Sequence, residues 1–312
     1  MILTGFIKDT FAASRLLKFS TDLPFIHVDY SLHIFNLIES PNGFIWNTMM
    51  RAYVQRNCPQ KAVYLYKFML KENMGPDYYT YPVLVHACAV RLSQIEGKQM
   101  HSHVLKMGFD SDVYVQNTLI NMYAVCENMT DARQLFDESP CLDLVTWNSI
   151  LGGYVQMENV EQAKYIYDRM PVKNTIASNS MIMLFGKAGR VTDACHLFDE
   201  MPEKDMVSWS AVISCYEQNE MYEEALAMFI NMNAEGIKVD EVVVITVLSA
   251  CSHLSVVQTG KLIHSLVVKI GIETYVNLQN ALIHMSSKYQ TQTHGNLGFP
   301  NDGSMELRTQ QP

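Results

Sequence analysis

Apolar side chains recur along this chain at spacings of three and four residues, in short blocks that polar residues interrupt. Between 144 and 174, Trp147, Ile150, Leu151 and Tyr154 share one face of a helix, and beyond a polar break Ala163, Ile166 and Tyr167 share one face of a second. Two antiparallel helices meeting along these faces are predicted. The pattern returns elsewhere: FIWNTMMRAYVQ from Phe44, VTWNSILGGYVQ from Val145 and VSWSAVISCYEQ from Val207 align without a gap. Anchoring on the residue after Trp46, Tyr81, Trp147 and Trp209, and on the matching position elsewhere, picks out Asn47, Pro82, Asn117, Asn148, Asn179, Ser210, Ile245 and Asn280, at steps of 35, 35, 31, 31, 31, 35 and 35. A period this long and this regular marks an array of two-helix units.

Features at fixed phase support the same reading. Sixteen residues after Trp46, Trp147 and Trp209 stand Ala62, Ala163 and Ala225, and the matching sites elsewhere hold Ala132, Ala194, Gly97 and Gly260. Small residues are expected where two helices approach closely. Three short units end in ESPCLD (138–143), DRMPVKN (168–174) and DEMPEKD (199–205), each with a proline placed to stop the second helix. Thr130 and Thr192, each followed by Asp-Ala, are the expected caps of two second helices. No unit of this size buries its apolar face alone, so the predicted fold is all-α, a right-handed superhelical solenoid of stacked two-helix repeats resembling tetratricopeptide arrays.

Composition narrows the function. Apolar residues make 48% of the 312 and charged ones 18%, which excludes a largely disordered chain. No run approaches 18 uninterrupted apolar residues, so no membrane-spanning helix and no membrane partner are expected. The formal charge of -9 opposes non-specific attraction to phosphate backbones. Seven cysteines form no CxxC pair and are expected to be reduced, buried and inert. Twenty methionines fit adaptable packing, the three tryptophans fit inter-helix core, and His101 and His103 lack the four-residue spacing for joint ligation on a helix, so no metal or cofactor is expected.

The 31- and 35-residue units, the asparagine after an aromatic and the LFDE-x-P endings together resemble the plant pentatricopeptide repeat family, in particular its PLS subclass of mixed long and short repeats. By that resemblance the units are 43–77, 78–112 (long), 113–143, 144–174 and 175–205 (short), 206–240, 241–275 (long) and a truncated repeat at 276–289. Residues 1–42 then form partial N-terminal repeats, with MILTGFIKD like the end of a long repeat, and 290–312 read as a disordered tail. A chain cut from a longer gene would explain both irregular ends.

The resemblance implies binding of single-stranded RNA, one base per repeat, read by the fifth and last residues of each unit. Asn47 with Asp77, Asn117 with Asp143 and Asn179 with Asp205 are then uracil pairs; Asn148 with Asn174 is a cytosine or pyrimidine pair. Ser210 with Asp240 is a guanine pair, and Ser14 with Asn42 an adenine pair. Pro82 with Asp112 carries little preference, and Ile245 with Tyr275 is assigned no base. The second residue of each unit, Phe44, Tyr79, Tyr114, Val145, Ile176, Val207 and Val242, is implied to pack on base faces, a source of affinity that needs no positive charge. Modest affinity with a shallow salt dependence is expected.

The family's zinc deaminase segment needs His-x-Glu and Pro-Cys-x-x-Cys, and neither occurs; nor does a Walker loop or Gly-x-Ser-x-Gly. The chain therefore reads as a non-enzymatic recognition component of organellar C-to-U editing or RNA processing, with a deaminase or editing factor as a possible partner in trans. Mitochondrion or chloroplast is implied by resemblance, without a clear transit peptide. Two alternatives stay open: a peptide-binding tetratricopeptide-like scaffold, whose usual period is 34, and a non-functional fragment.

Overall fold

The computed structural model describes residues 9–23, 28–254, 257–270 and 278–283. The proposed tail at 290–312, the repeat-like start at 1–8 and Tyr275 lie outside the described residues. The chain forms two compact units, Met1–Lys173 and Asn174–Pro312. Among the described residues there are helices but no strands.

In the first unit the helices pair as α1 (Thr10–Asp22) with α2 (Val28–Asn36), α3 (Gly43–Gln55) with α4 (Pro59–Lys71), and α5 (Thr80–Val90) with α6 (Gln94–Met107). α7 (Val113–Val125) pairs with α8 (Met129–Glu138), and α9 (Leu144–Gln156) with α10 (Val160–Arg169). The first helices α1, α3, α5, α7 and α9 pack side by side in one layer, and each second helix from α2 to α8 bridges its own first helix and the next. The second unit repeats this plan with α11 (Thr175–Lys187) and α12 (Val191–Glu200), α13 (Met206–Gln218) and α14 (Tyr222–Ala234), and α15 (Glu241–Leu254) and α16 (Val257–Ile270).

The two repeat lengths differ by about one helical turn, and the second helix absorbs it. α4, α6 and α14 run 13 or 14 residues and continue into a left-handed residue, Asn73, Gly108 or Gly236. α8, α10 and α12 run 10 residues and stop before the proline-containing endings. The helix layer is thus kept while the connection changes.

Small residues sit where the pattern placed them. Ala62, Ala132, Ala163, Ala194 and Ala225 are fully buried, and a Cβ at Gly97 would fall 2.3 Å from the Met122 sulfur. Trp46 and Trp209 are core and Trp147 is half-buried: Phe35 meets Trp46, Phe136 meets Trp147 and Phe198 meets Trp209 edge-on, each with centroids 4.9 Å apart. Met49, Met50, Met69, Met122, Met181 and Met232 fill the same interior.

Two expectations are corrected. Thr130 and Thr192 lie inside α8 and α12 rather than capping them; Asn128 caps α8 by accepting from the Asp131 N–H, and Arg190 precedes α12 without a side-chain cap bond. Of the cysteines, Cys88, Cys215 and Cys251 are buried, with burial the leading cause that pushes their thiols up to about 12, 11 and 11, but Cys141 in the ESPCLD ending is exposed.

The turn inside the repeat explains the first correction. Asn57, Leu92, Glu127, Glu158, Gly189 and Glu220 all have positive φ, between 52° and 72°, at the same repeat phase. The following N–H reaches back six residues' span, as from Cys58 to the Tyr53 carbonyl and from Asn128 to the Tyr123 carbonyl, closing the first helix before the second starts. Only one of these six positions is glycine. Leu92→Gly, Glu127→Gly and Glu220→Gly are each expected to stabilise by about 0.5–1 kcal/mol, because the left-handed conformation penalises a Cβ. Thermal unfolding of the triple variant checks this; an unchanged or lowered midpoint would contradict it.

Candidate nucleic-acid interface

Six first helices begin at a side-chain cap supplied by the last residue of the repeat before, whereas α5 has Tyr79 as its N-cap, without a side-chain cap bond, two residues after Asp77. Asn42, Asp112, Asp143, Asn174, Asp205 and Asp240 accept from the N–H three residues on, at 2.8–3.1 Å. Asp77 accepts from the N–H groups of Tyr79 and Thr80 at 2.9 and 2.8 Å. This duty holds each of these polar groups at a defined height beside the row of first helices.

Three of them also meet an asparagine one turn into the preceding first helix. Asn47 Nδ2 donates to Asp77 Oδ1 at 3.0 Å, Asn117 Nδ2 to both Asp143 oxygens at 3.1 Å, and Asn179 Nδ2 to Asp205 Oδ1 at 3.2 Å. All three asparagines are more than nine-tenths buried. The Oδ1 atoms of Asn47 and Asn179 are shielded from water and have no hydrogen-bond partner, whereas Asn117 Oδ1 accepts from the Thr146 hydroxyl. A buried acceptor left unpaired is unfavourable by about 1–3 kcal/mol.

Burial acts to raise the carboxyls of Asp143 and Asp205. The N–H and hydroxyl of Thr146 or Ser208 and the asparagine amide outweigh it, so both carboxyls titrate below the ordinary value and stay ionised at neutral pH.

Beside these pairs the second residues of the repeats stand in the open. Phe44, Tyr79, Tyr114, Val145, Ile176, Val207 and Val242 are all exposed. In the first unit Phe44 and Tyr79 wall a cleft of about 380 Å³ whose remaining lining is Asn47, Thr48, Arg51 and Asp77. A second cleft of about 470 Å³ contains Tyr114 and Val145 together with Asn117, and Arg51 also lines it. Each cleft presents two apolar walls with an asparagine of an Asn–Asp pair between them.

Other sites differ. Ser14 is buried and donates to its own helix at the Phe11 carbonyl, Asn42 is exposed, and Ser210 is half-buried. Among the described residues no hydrogen bond joins Ser14 to Asn42 or Ser210 to Asp240, since serine reaches one bond less far than asparagine. Asn148 is half-buried with its Oδ1 unpaired. Pro82 lines the second cleft, and Ile245 is half-buried. His101 is occupied by the Tyr123 hydroxyl at 3.0 Å, and among the described residues no group of histidine, cysteine and acidic side chains could hold a metal. Reading of the sequence missed Arg51 and the hydroxyls of Thr80, Thr146 and Ser208, although the last three stand at one repeat phase.

Family models match most of the repeats. The PPR repeat family matches residues 41–90, and the PPR repeat matches 117–141, 145–175, 176–206 and 207–237. The chain belongs to the pentatricopeptide repeat family. Among its relatives in Arabidopsis thaliana, pentatricopeptide repeat-containing protein At2g22410, mitochondrial, is 32% identical over 92% of the chain and 34% of the relative. Pentatricopeptide repeat-containing protein At2g20540 is 39% identical over 92% of the chain and 48% of the relative. At1g08070, chloroplastic, is 38% identical over 47% of the chain and 20% of the relative. The chain thus spans less than half the length of these pentatricopeptide repeat proteins. Among solved structures, the pentatricopeptide repeat protein PPR10 in complex with an 18-nt psaJ RNA element superposes with a TM-score of 0.77 at 16% identity, covering 92% of this chain and 44% of that one. PPR10 from maize superposes with a TM-score of 0.56 at 16% identity, over 94% of this chain and 54% of that one. The fold is therefore that of the pentatricopeptide repeat proteins.

Proposed function

We propose that the chain binds single-stranded RNA, placing one base between the second residues of successive repeats and reading it with the fifth and last residues. The observation that carries this is the cleft in which Phe44 and Tyr79 flank the Asn47–Asp77 hydrogen bond. Aromatic walls supply stacking of about 1–3 kcal/mol per base, and the amide between them offers a donor and an acceptor to a base edge. Recurrence of the Asn–Asp bond at Asn117 and Asn179 supports a modular reader, and the RNA complex of the similar PPR10 structure supports RNA as the ligand class. Stacking also reconciles an acidic chain with a polyanion.

In chain order from 43 to 240 the reading pairs specify uracil, any base, uracil, a pyrimidine, uracil and guanine. In this reading the chain performs no catalysis; it is a recognition arm in mitochondrial or chloroplast RNA editing or processing, with any deaminase supplied in trans. A gel-shift titration at fixed salt tests it, using a six-base core in this order, in both polarities, against a scrambled core. The ordered core in one polarity is expected to bind at least about tenfold tighter, the discrimination of a single good base contact. Equal affinity for all three oligonucleotides would remove the reading.

A further inference from the structure

The aspartates of the three Asn–Asp pairs share a partner that the base-reading scheme leaves without a role. Three residues beyond Asp77, Asp143 and Asp205 stand Thr80, Thr146 and Ser208, all fully buried, and each hydroxyl donates to the same carboxylate oxygen, at 2.9, 2.8 and 2.9 Å. That oxygen also accepts the asparagine amide in every case. After the other five described final residues, Asp9, Asn42, Asp112, Asn174 and Asp240, the corresponding positions are Ala12, Ile45, Val115, Ala177 and Val243. The hydroxyl therefore accompanies the Asn–Asp pair and is missing wherever that pair is missing. Two of these hydroxyls also accept from the backbone N–H of the aspartate itself, Thr80 from Asp77 at 3.0 Å and Ser208 from Asp205 at 3.3 Å, the latter completing a capping box. Capping does not require the hydroxyl, because Asn42, Asp112, Asn174 and Asp240 cap their helices through the backbone N–H without one.

We propose that Thr80, Thr146 and Ser208 are positioning residues that fix which way the reading asparagine faces, and so make these repeats select a base with a ring N–H, uracil, over one with a ring nitrogen acceptor, cytosine. This rests on the base-reading proposal above. An asparagine amide is symmetric in shape but not in chemistry: turned one way it accepts from a ring N–H and donates to the adjacent carbonyl, and turned the other way it donates to a ring nitrogen and accepts from an exocyclic amine. The hydroxyl pins the carboxylate, and the carboxylate holds one hydrogen of the Nδ2 group. Turning the amide over would bring Oδ1 against an ionised carboxylate. The held amide keeps its second Nδ2 hydrogen for a carbonyl and Oδ1 for a ring N–H, which is the complement of uracil. The Oδ1 atoms of Asn47 and Asn179 have no hydrogen-bond partner in the free chain and are covered there, so an entering uracil must uncover them to use them as this acceptor. At Asn117 the single Thr146 proton faces both Asn117 Oδ1 and Asp143 Oδ1, so uracil there must turn that hydroxyl fully onto the carboxylate.

The test compares oligonucleotides differing only by uracil or cytosine opposite the repeat 43–77, titrated against the whole chain. The wild type prefers uracil; Thr80→Val, similar in shape but without the hydroxyl, is expected to lose about three- to tenfold of that preference, the scale of one hydrogen bond. Thr80→Ser is expected to retain it. A purely structural role would lower affinity for both oligonucleotides alike. The converse uses the repeat 78–112: Pro82→Asn together with Val115→Thr is expected to prefer uracil over cytosine more strongly than Pro82→Asn alone, which keeps the proposal testable if Thr80→Val unfolds. A wild type that discriminates while Thr80→Val and the Val115→Thr pair change nothing would overturn the positioning role and leave base reading intact. A wild type with no preference between the two bases would remove both.

Discussion

Trp46→Ala will destabilise the first unit by about 3–5 kcal/mol, the range for removing a buried aromatic from a core that cannot collapse around the gap. Trp46 is 2% exposed, Phe35 and Phe68 pack edge-on against it at 4.9 and 5.7 Å, and its Nε1 donates to the Pro41 carbonyl at 3.1 Å. The substitution therefore empties a volume shared by α2, α3 and α4 and removes the tie to the loop that enters α3. Trp147 is the internal comparison: half-buried, with its Nε1 unpaired, it meets only Phe136 among the ring contacts described. Trp147→Ala should cost clearly less. Because each repeat in such an array rests on its neighbours, amide hydrogen exchange is the appropriate readout, and lost protection should centre on α3 and spread to the helices packed on it. Protection unchanged in α3 would contradict the prediction.

The double variant Phe44→Ala, Tyr79→Ala is expected to weaken binding to the ordered oligonucleotide by about 1–3 kcal/mol, roughly 5- to 150-fold, if one base stacks between these rings. Both side chains are about half exposed, at 53% and 49%, so their removal empties no core and should move the thermal midpoint little. Tyr78 lies against Tyr79 with centroids 4.2 Å apart, which props that wall and predicts that Tyr79→Phe will bind nearly as the wild type does. A valine presents a much smaller face, so Val145→Ala is expected to have a smaller effect than Tyr79→Ala. Filter binding at fixed ionic strength measures all of these, and an affinity untouched by the double variant would exclude the cleft as the base site.

Much of this molecule could be written down from the chain alone, for a local reason. Helix faces, the lengths of 31 and 35 and the small residue sixteen positions after the aromatic depend on neighbours within one repeat, and repetition averages out the ambiguity of any single copy. The same local signals failed where two motifs competed for one residue. Thr-Asp-Ala at 130–132 looks like a helix start, but the left-handed turn at Glu127 closes α7 first and gives the capping role to Asn128. The division after Lys173 is also unmarked, since the endings DRMPVKN and DEMPEKD are nearly alike, yet one of them ends a compact unit.

Pairing Asn47 with Asp77 across 30 residues came from family resemblance, and their hydrogen bond had to be seen in three dimensions. So did the wall-to-wall placing of Phe44 and Tyr79, and the hydroxyls behind the aspartates. Periodicity specifies which face a residue occupies, because that depends on helical geometry within a single turn. Which atom of an amide is held and which is left unpaired depends on side chains from two repeats meeting at about 3 Å, and that distance is a product of how the helices stack.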